Sequence, residues 1–127
     1  DPSELERALK FACELVYLEG DPDETIEAAR SKVALAGAGP DALDPLEELL
    51  AKLNKCGIDR NSLVLDMGLA RGIAYYTGAI FDLTSTTNDQ LGGGGRYDGL
   101  VATLGGMNTP ALGFAYDMEA IAVAVKN

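Results

Sequence analysis

Apolar residues in the first half of the chain recur at helical spacing. Leu5, Leu9, Ala12, Leu15 and Val16 form one stripe that runs to Gly20. Ile26, Ala29 and Val33 form a second, broken by Gly37-Ala38-Gly39-Pro40. Leu46, Leu49, Leu50 and Leu53 form a third, which stops at Gly57, a predicted C′ glycine. Each stripe follows the same start signal: Asp1-Pro2-Ser3-Glu4, Asp21-Pro22-Asp23-Glu24 and Asp44-Pro45-Leu46-Glu47. An Asp carboxylate accepts from orphan amides as an N-cap, Pro suits the first helical position, and Glu in the first turn favours the positive end of the helix. Residues 1–60 therefore read as a small helical subdomain.

From Ser62 the period changes. Residues 63–67 are a short apolar run, and residues 73–83 a long β-branched and aromatic one that predicts a strand. A polar turn at 84–90 precedes Gly92-Gly93-Gly94-Gly95, and Arg96-Tyr97-Asp98 opens a short helix through Leu104. Residues 111–115 read as a buried strand and 118–125 as a closing helix. The pattern predicts an α+β fold in which residues 61–127 form an antiparallel sheet with helices packed on it.

Composition narrows the chemistry. The 127 residues contain no histidine, which excludes a Ser-His-Asp triad, a Cys-His pair and histidine-ligated zinc. A net charge of −10 repels a phosphate backbone, so nucleic-acid contact has to come from elsewhere. Residues 1–63 hold 14 acids and 7 bases, and residues 64–127 hold 6 and 3, with most of the glycine. Cys13 and Cys56 lie far apart in helical segments and are expected as small buried apolar residues, with no metal site. The longest uncharged stretch, residues 99–116, is interrupted by glycines and a proline and is no membrane span. The first residues lack the basic and apolar regions of a signal peptide, which predicts a cytoplasmic location.

Two segments carry candidate chemistry. The tetraglycine run fits neither familiar phosphate motif; it is either a flexible turn or a place where a ligand reaches main-chain amides, with Arg96 beside it. Arg71-Gly72 enters an otherwise uncharged strand. Such an arginine sits on the rim or, if it points inward, needs a phosphate or carboxylate partner.

Arg71-Gly72-Ile73-Ala74-Tyr75-Tyr76-Thr77-Gly78, with Phe81-Asp82 after it, resembles the RG-L-D-YYTG-x-x-FE signature of histidyl-tRNA synthetases. Gly93-Gly94-Gly95-Arg96-Tyr97-Asp98-Gly99-Leu100 is similar to the family's GGGRYDGL, and residues 109–115 to the strand of class II motif 3. The helical first half resembles the insertion that precedes the histidine signature. This resemblance implies part of a class II core, an antiparallel sheet flanked by helices that binds histidine and ATP, with Mg2+ in the parent protein. It implies that Arg71 is catalytic, stabilising charge on the carboxylate and α-phosphate as histidyl-adenylate forms, a reaction that positioning and electrostatics can drive without a histidine base. It further implies histidine binding by Tyr75, Tyr76, Gly93, Gly94, Gly95, Arg96 and Tyr97, and ATP contacts at Arg71 and Gly113. If Tyr75 and Tyr76 lie in a strand they face opposite ways, and one of them reaches the ligand.

The departures leave two functions open. Ala120 stands where motif 3 carries a phosphate-gripping arginine, Asp117 replaces a glycine and adds negative charge, Ala74 replaces Asp, and Asp82 replaces Glu. Motifs 1 and 2 and the anticodon-binding domain are absent from these residues, so homodimerisation and tRNA contact belong to regions of the parent outside them. One expectation is a fragment of a histidine–tRNA ligase, itself inactive. The other is part of a non-catalytic, histidine-sensing regulatory subunit of ATP phosphoribosyltransferase. A synthetase-like domain used only for assembly is a third.

Overall fold

The computed structural model describes residues 2–37, 39–70 and 75–126. The chain divides into two compact units, Asp1–Leu69 and Ala70–Asn127. Asp1, Ala38, Arg71, Gly72, Ile73, Ala74 and Asn127 lie outside the described residues.

The first unit is built from α1 (Pro2–Leu15), β1 (Glu19–Gly20), α2 (Pro22–Ala36), α3 (Asp44–Lys55) and β2 (Leu65–Asp66). The second start signal works as its chemistry requires: the Asp21 carboxylate accepts from the amides of Asp23 at 2.9 Å and Glu24 at 3.2 Å, and Pro22 opens the helix. Gly37 ends α2 in the left-handed region, at φ 76°. The third signal behaves differently. A single-turn 3-10 helix, Pro40–Leu43, runs straight into α3, so Asp44 already has helical dihedrals and is the first residue of the helix instead of its cap. At the other end Gly57, at φ 87°, donates to Asn54 and the amide of Ile58 reaches back to Leu53, which satisfies two orphan carbonyls. Pro2 begins α1; its signal's Asp1 lies outside the described residues.

Ile26, Ala29 and Val33 bury one face of α2 against Leu43 and Leu50, and Phe11, Leu15, Leu53, Leu63 and Met67 close around them. The Arg30 guanidinium crosses from α2 to Glu47 of α3 and to the carbonyl of Pro40 at 3.1 Å. Glu47 raises the pKa of Arg30 through that hydrogen bond and its charge. Residues 61–69, expected with the sheet, fold with the helices. β2 pairs antiparallel with β1 (Glu19↔Asp66, Gly20↔Leu65), and Leu63, Leu65 and Met67 complete the helical core. The cysteines depart from expectation as well: Cys13 and Cys56 are both free and exposed, one off the apolar stripe of α1 and one at the C-cap of α3.

The second unit is a three-stranded antiparallel sheet in the order β3 (Ile80–Thr84), β4 (Gln90–Arg96), β5 (Leu112–Tyr116), with α4 (Leu100–Thr103) and α5 (Met118–Ala124). The β3–β4 loop closes through the Ser85 amide on the Asp89 carbonyl at 2.9 Å, with Asn88 at φ 64°. The tetraglycine run is neither a turn nor a loop but most of the central strand, paired Phe81↔Gly94 on one side and Gly94↔Phe114 on the other. The strand expected over 73–83 begins at Ile80; the described residues before it are turn and loop. Among the described residues, the buried apolar side chains all belong to the first unit, and no helix is long and apolar enough to cross a membrane.

Leu50→Ala is expected to lower the stability of the helical unit by about 2–5 kcal/mol, the cost of a core cavity, and Asp21→Ala by about 1 kcal/mol, the cost of a lost cap. Urea denaturation followed by circular dichroism measures both, and equal effects would contradict this ranking.

Candidate functional site

The sheet unit gathers three of its tyrosines, with Gly95 and Gly113, around one end of β4. Tyr75 and Tyr76 precede β3, and Tyr97 follows β4 directly. Their rings converge: the Tyr75 and Tyr76 centroids are 4.6 Å apart, Tyr75 meets Tyr97 edge-on at 5.5 Å, and Tyr76 lies 6.3 Å from Tyr97. The expectation that neighbouring tyrosines face opposite ways is thereby corrected. Alternation belongs to strands, and this pair lies outside one.

Glycine is what lets the cluster form. A Cβ on Gly95 would lie 2.8 Å from two ring carbons of Tyr76 and from Ile80 Cγ2. A Cβ on Gly113 would lie 2.3 Å from the Tyr97 hydroxyl. Gly94 serves the sheet itself, because a Cβ there would stand 2.1 Å from the Gly113 carbonyl oxygen and 2.8 Å from Phe114 Cα. Gly93, Gly94 and Gly95 are all buried. The in-plane amides of a central strand are directed at its neighbours, and the face left bare at Gly95 is covered by the Tyr76 ring.

The polar groups around the cluster are paired. Thr77 donates its amide to the Arg96 carbonyl at 2.9 Å, and its hydroxyl accepts from the Asp98 amide at 2.9 Å. Arg96 donates Nε to both carboxylate oxygens of Asp98, at 2.9 and 2.8 Å, and its side chain stays 58% exposed. Tyr97 donates its amide to Ala111 at 2.8 Å. Asp117, expected as an added negative charge, is the N-cap of α5: its carboxylate accepts from the amides of Glu119 at 3.0 Å and Ala120 at 2.9 Å.

Of the residues singled out in the sequence, Tyr75, Tyr76, Tyr97, Gly95 and Gly113 are brought together, with Gly93 and Gly94 continuing the same strand. Arg96 adjoins the cluster through its main chain and turns its Nε to Asp98. Arg71 lies outside the described residues. Sequence reasoning missed Thr77, Asp98 and the capping role of Asp117. The first two sit inside quoted motifs, and the third carried a signal in its position just before an apolar helix.

Three tyrosines over a glycine strand present ring faces and edges for a small planar ring, and phenol groups able both to donate and to accept. The second unit is thus an antiparallel sheet with a tyrosine cluster at one end of its central strand, in a chain of α+β class. The family model of histidyl-tRNA synthetase matches residues 3–121. Among curated relatives, the chain is 36% identical over 115 residues to a histidine–tRNA ligase of Gloeobacter violaceus, covering 88% of this chain and 25% of that protein. It is 38% identical over 126 residues to an ATP phosphoribosyltransferase regulatory subunit of Desulforamulus reducens, covering 98% and 29%. With a histidine–tRNA ligase of Pyrococcus horikoshii it shares 35% over 120 residues, covering 92% and 26%. The chain belongs to the histidyl-tRNA synthetase family, and it spans about a quarter of the length of these relatives.

Gly94→Ala is expected to destabilise the sheet by about 1–3 kcal/mol, as overpacking against backbone does. Gly95→Ala should cost less, because the Tyr76 ring can move aside. Thermal unfolding together with ring-to-ring nuclear Overhauser contacts tests this; an undisturbed tyrosine cluster in Gly95→Ala would refute the steric reading.

Proposed function

We propose that this chain is the amino-acid-recognising part of a histidyl-tRNA-synthetase-like core, and that it binds histidine at Tyr75, Tyr76 and Tyr97 beside Gly95. The observation that carries this reading is the convergence of the three tyrosine rings at the glycine strand, in a chain of this family. An imidazole is flat enough to meet those rings and carries one donor and one acceptor nitrogen for the phenol groups. Arg71, implied by the family resemblance as the group that meets the carboxylate, completes the site in this reading.

ATP fits the described residues less well. A triphosphate needs cations, and within residues 75–126 the bases are Arg96, held by Asp98, and Lys126. Where motif 3 calls for an arginine the chain has Ala120, in the first turn of a helix whose amides already bind the Asp117 carboxylate. Losing a charge-assisted phosphate contact weakens binding by roughly 1.5–3 kcal/mol. These features support the second reading, in which the parent senses histidine as a regulatory subunit does and forms no adenylate. The ligase reading draws on the intact Tyr75-Tyr76-Thr77-Gly78 and Gly93–Leu100 motifs, with ATP, Mg2+ and tRNA held by segments outside this chain. In both readings a net charge of −10 disfavours nucleic-acid contact by this chain, and dimerisation is left to those segments because motifs 1 and 2 are not among its residues.

Calorimetric titration of the chain with L-histidine is expected to show saturable binding that phenylalanine, which lacks the ring nitrogens, does not reproduce. Equal binding of both, or of neither, overturns the proposal. In the longer protein, histidine-dependent pyrophosphate exchange would establish the ligase reading, and histidine binding without exchange the regulatory one.

A further inference from the structure

The tyrosines are carried by two short segments, residues 75–79 and 96–98, at a point where the regular ladder has ended at Ile80↔Gly95. The Arg96 amide still donates in register to the Ala79 carbonyl at 3.1 Å, and irregular bonds take over at Thr77: its amide donates to the Arg96 carbonyl at 2.9 Å, and its Oγ1 accepts from the Asp98 amide at 2.9 Å. Thr77 therefore holds the residue before Tyr97 with its main chain and the residue after it with its hydroxyl, while it is itself bonded covalently to Tyr76. Gly78 lets the segments close, since a Cβ there would press on Cδ and Cβ of Arg96 at 3.2 and 3.3 Å.

We propose that Thr77 is a positioning residue for histidine recognition: its hydroxyl, by accepting the Asp98 amide, sets the spacing between the Tyr76 and Tyr97 rings that the ligand meets. This rests on the histidine-binding reading above. The hydroxyl does not need to touch the ligand. Valine keeps the shape of threonine and removes the acceptor, which leaves the Asp98 amide unpaired and loosens Tyr97, whose amide still donates to Ala111 at 2.8 Å and whose carbonyl still accepts from Leu100 at 3.3 Å. Serine keeps the acceptor and removes a methyl group.

The test uses Thr77→Val and Thr77→Ser in the 127-residue chain, with two kinds of readout. Without ligand, hydrogen exchange at the Asp98 amide and ring-to-ring contacts between Tyr76 and Tyr97 report the clasp itself. With L-histidine as the probe, titration reports its consequence. Thr77→Val is expected to speed Asp98 exchange, weaken the ring contacts and lower histidine affinity about 3- to 10-fold, the worth of one hydrogen bond, with protection of the β3–β4 ladder unchanged. Thr77→Ser is expected to behave as wild type. Unchanged ring contacts and affinity in Thr77→Val would overturn the proposal, as would equal losses in both variants, which would assign the effect to packing. Should Thr77→Val lose the ladder altogether, the wild-type chain still decides: an Asp98 amide exchanging at the rate of an unfolded chain means there is no clasp. A wild-type chain that binds no histidine defeats the functional reading instead, and the ligand-free readouts then judge the clasp separately.

Discussion

The sheet unit depends on one steric constraint: β5 approaches the central strand β4 too closely for side chains at Gly92 and Gly94. At Gly92 a Cβ would meet the Ala115 carbonyl oxygen at 2.5 Å, and at Gly94 the Gly113 carbonyl oxygen at 2.1 Å. Backbone atoms cannot rotate away as side chains do, so at these positions glycine is a condition of the pairing. The same absence of Cβ atoms allows the Tyr76 ring to lie on Gly95 and the Tyr97 hydroxyl to lie over Gly113. The aromatic cluster is thus a consequence of how the strand is built, and any recognition it performs inherits its geometry from the glycines.

The two units are stabilised by different means. The helical unit has a continuous apolar core around Ala29, which is fully buried, and α2 carries its own cap in Asp21. In the sheet unit Phe81, Leu112, Phe114 and Tyr116 keep 44%, 72%, 59% and 50% of their surface exposed. Hydrophobic burial there is small, and ladder bonds, ring packing and the Asp117 cap carry more of the load. A three-stranded sheet is near the lower limit of independent stability, which agrees with a chain that spans about a quarter of its relatives.

Much of this was legible in the sequence because local chemistry dictated it. Asp21-Pro22 and Gly57 have one good use each, and the structure puts them to it. Asp44 carries the same signal as Asp21, but the 3-10 turn before it extends helical geometry by a residue, a tertiary choice that no local pattern records. The β-branched and aromatic run over 73–83 pointed to a continuous strand; among its described residues the strand starts at Ile80, because Thr77 bonds to Arg96 out of register. The glycine run was ambiguous for a physical reason. A residue without a side chain is equally suited to a turn, to a close ligand and to a crowded strand, and partners distant in sequence decide among them. Family resemblance pointed to the tyrosines; that they meet one another required coordinates.

If the tyrosine cluster on the glycine strand binds histidine as proposed, chemical-shift mapping of the isotopically labelled chain during addition of L-histidine will show saturable shifts at the rings of Tyr75, Tyr76 and Tyr97 and at the amides of residues 93–97, with the helical unit unmoved. Shifts confined to residues 2–69, or none at saturating ligand, would contradict that proposal.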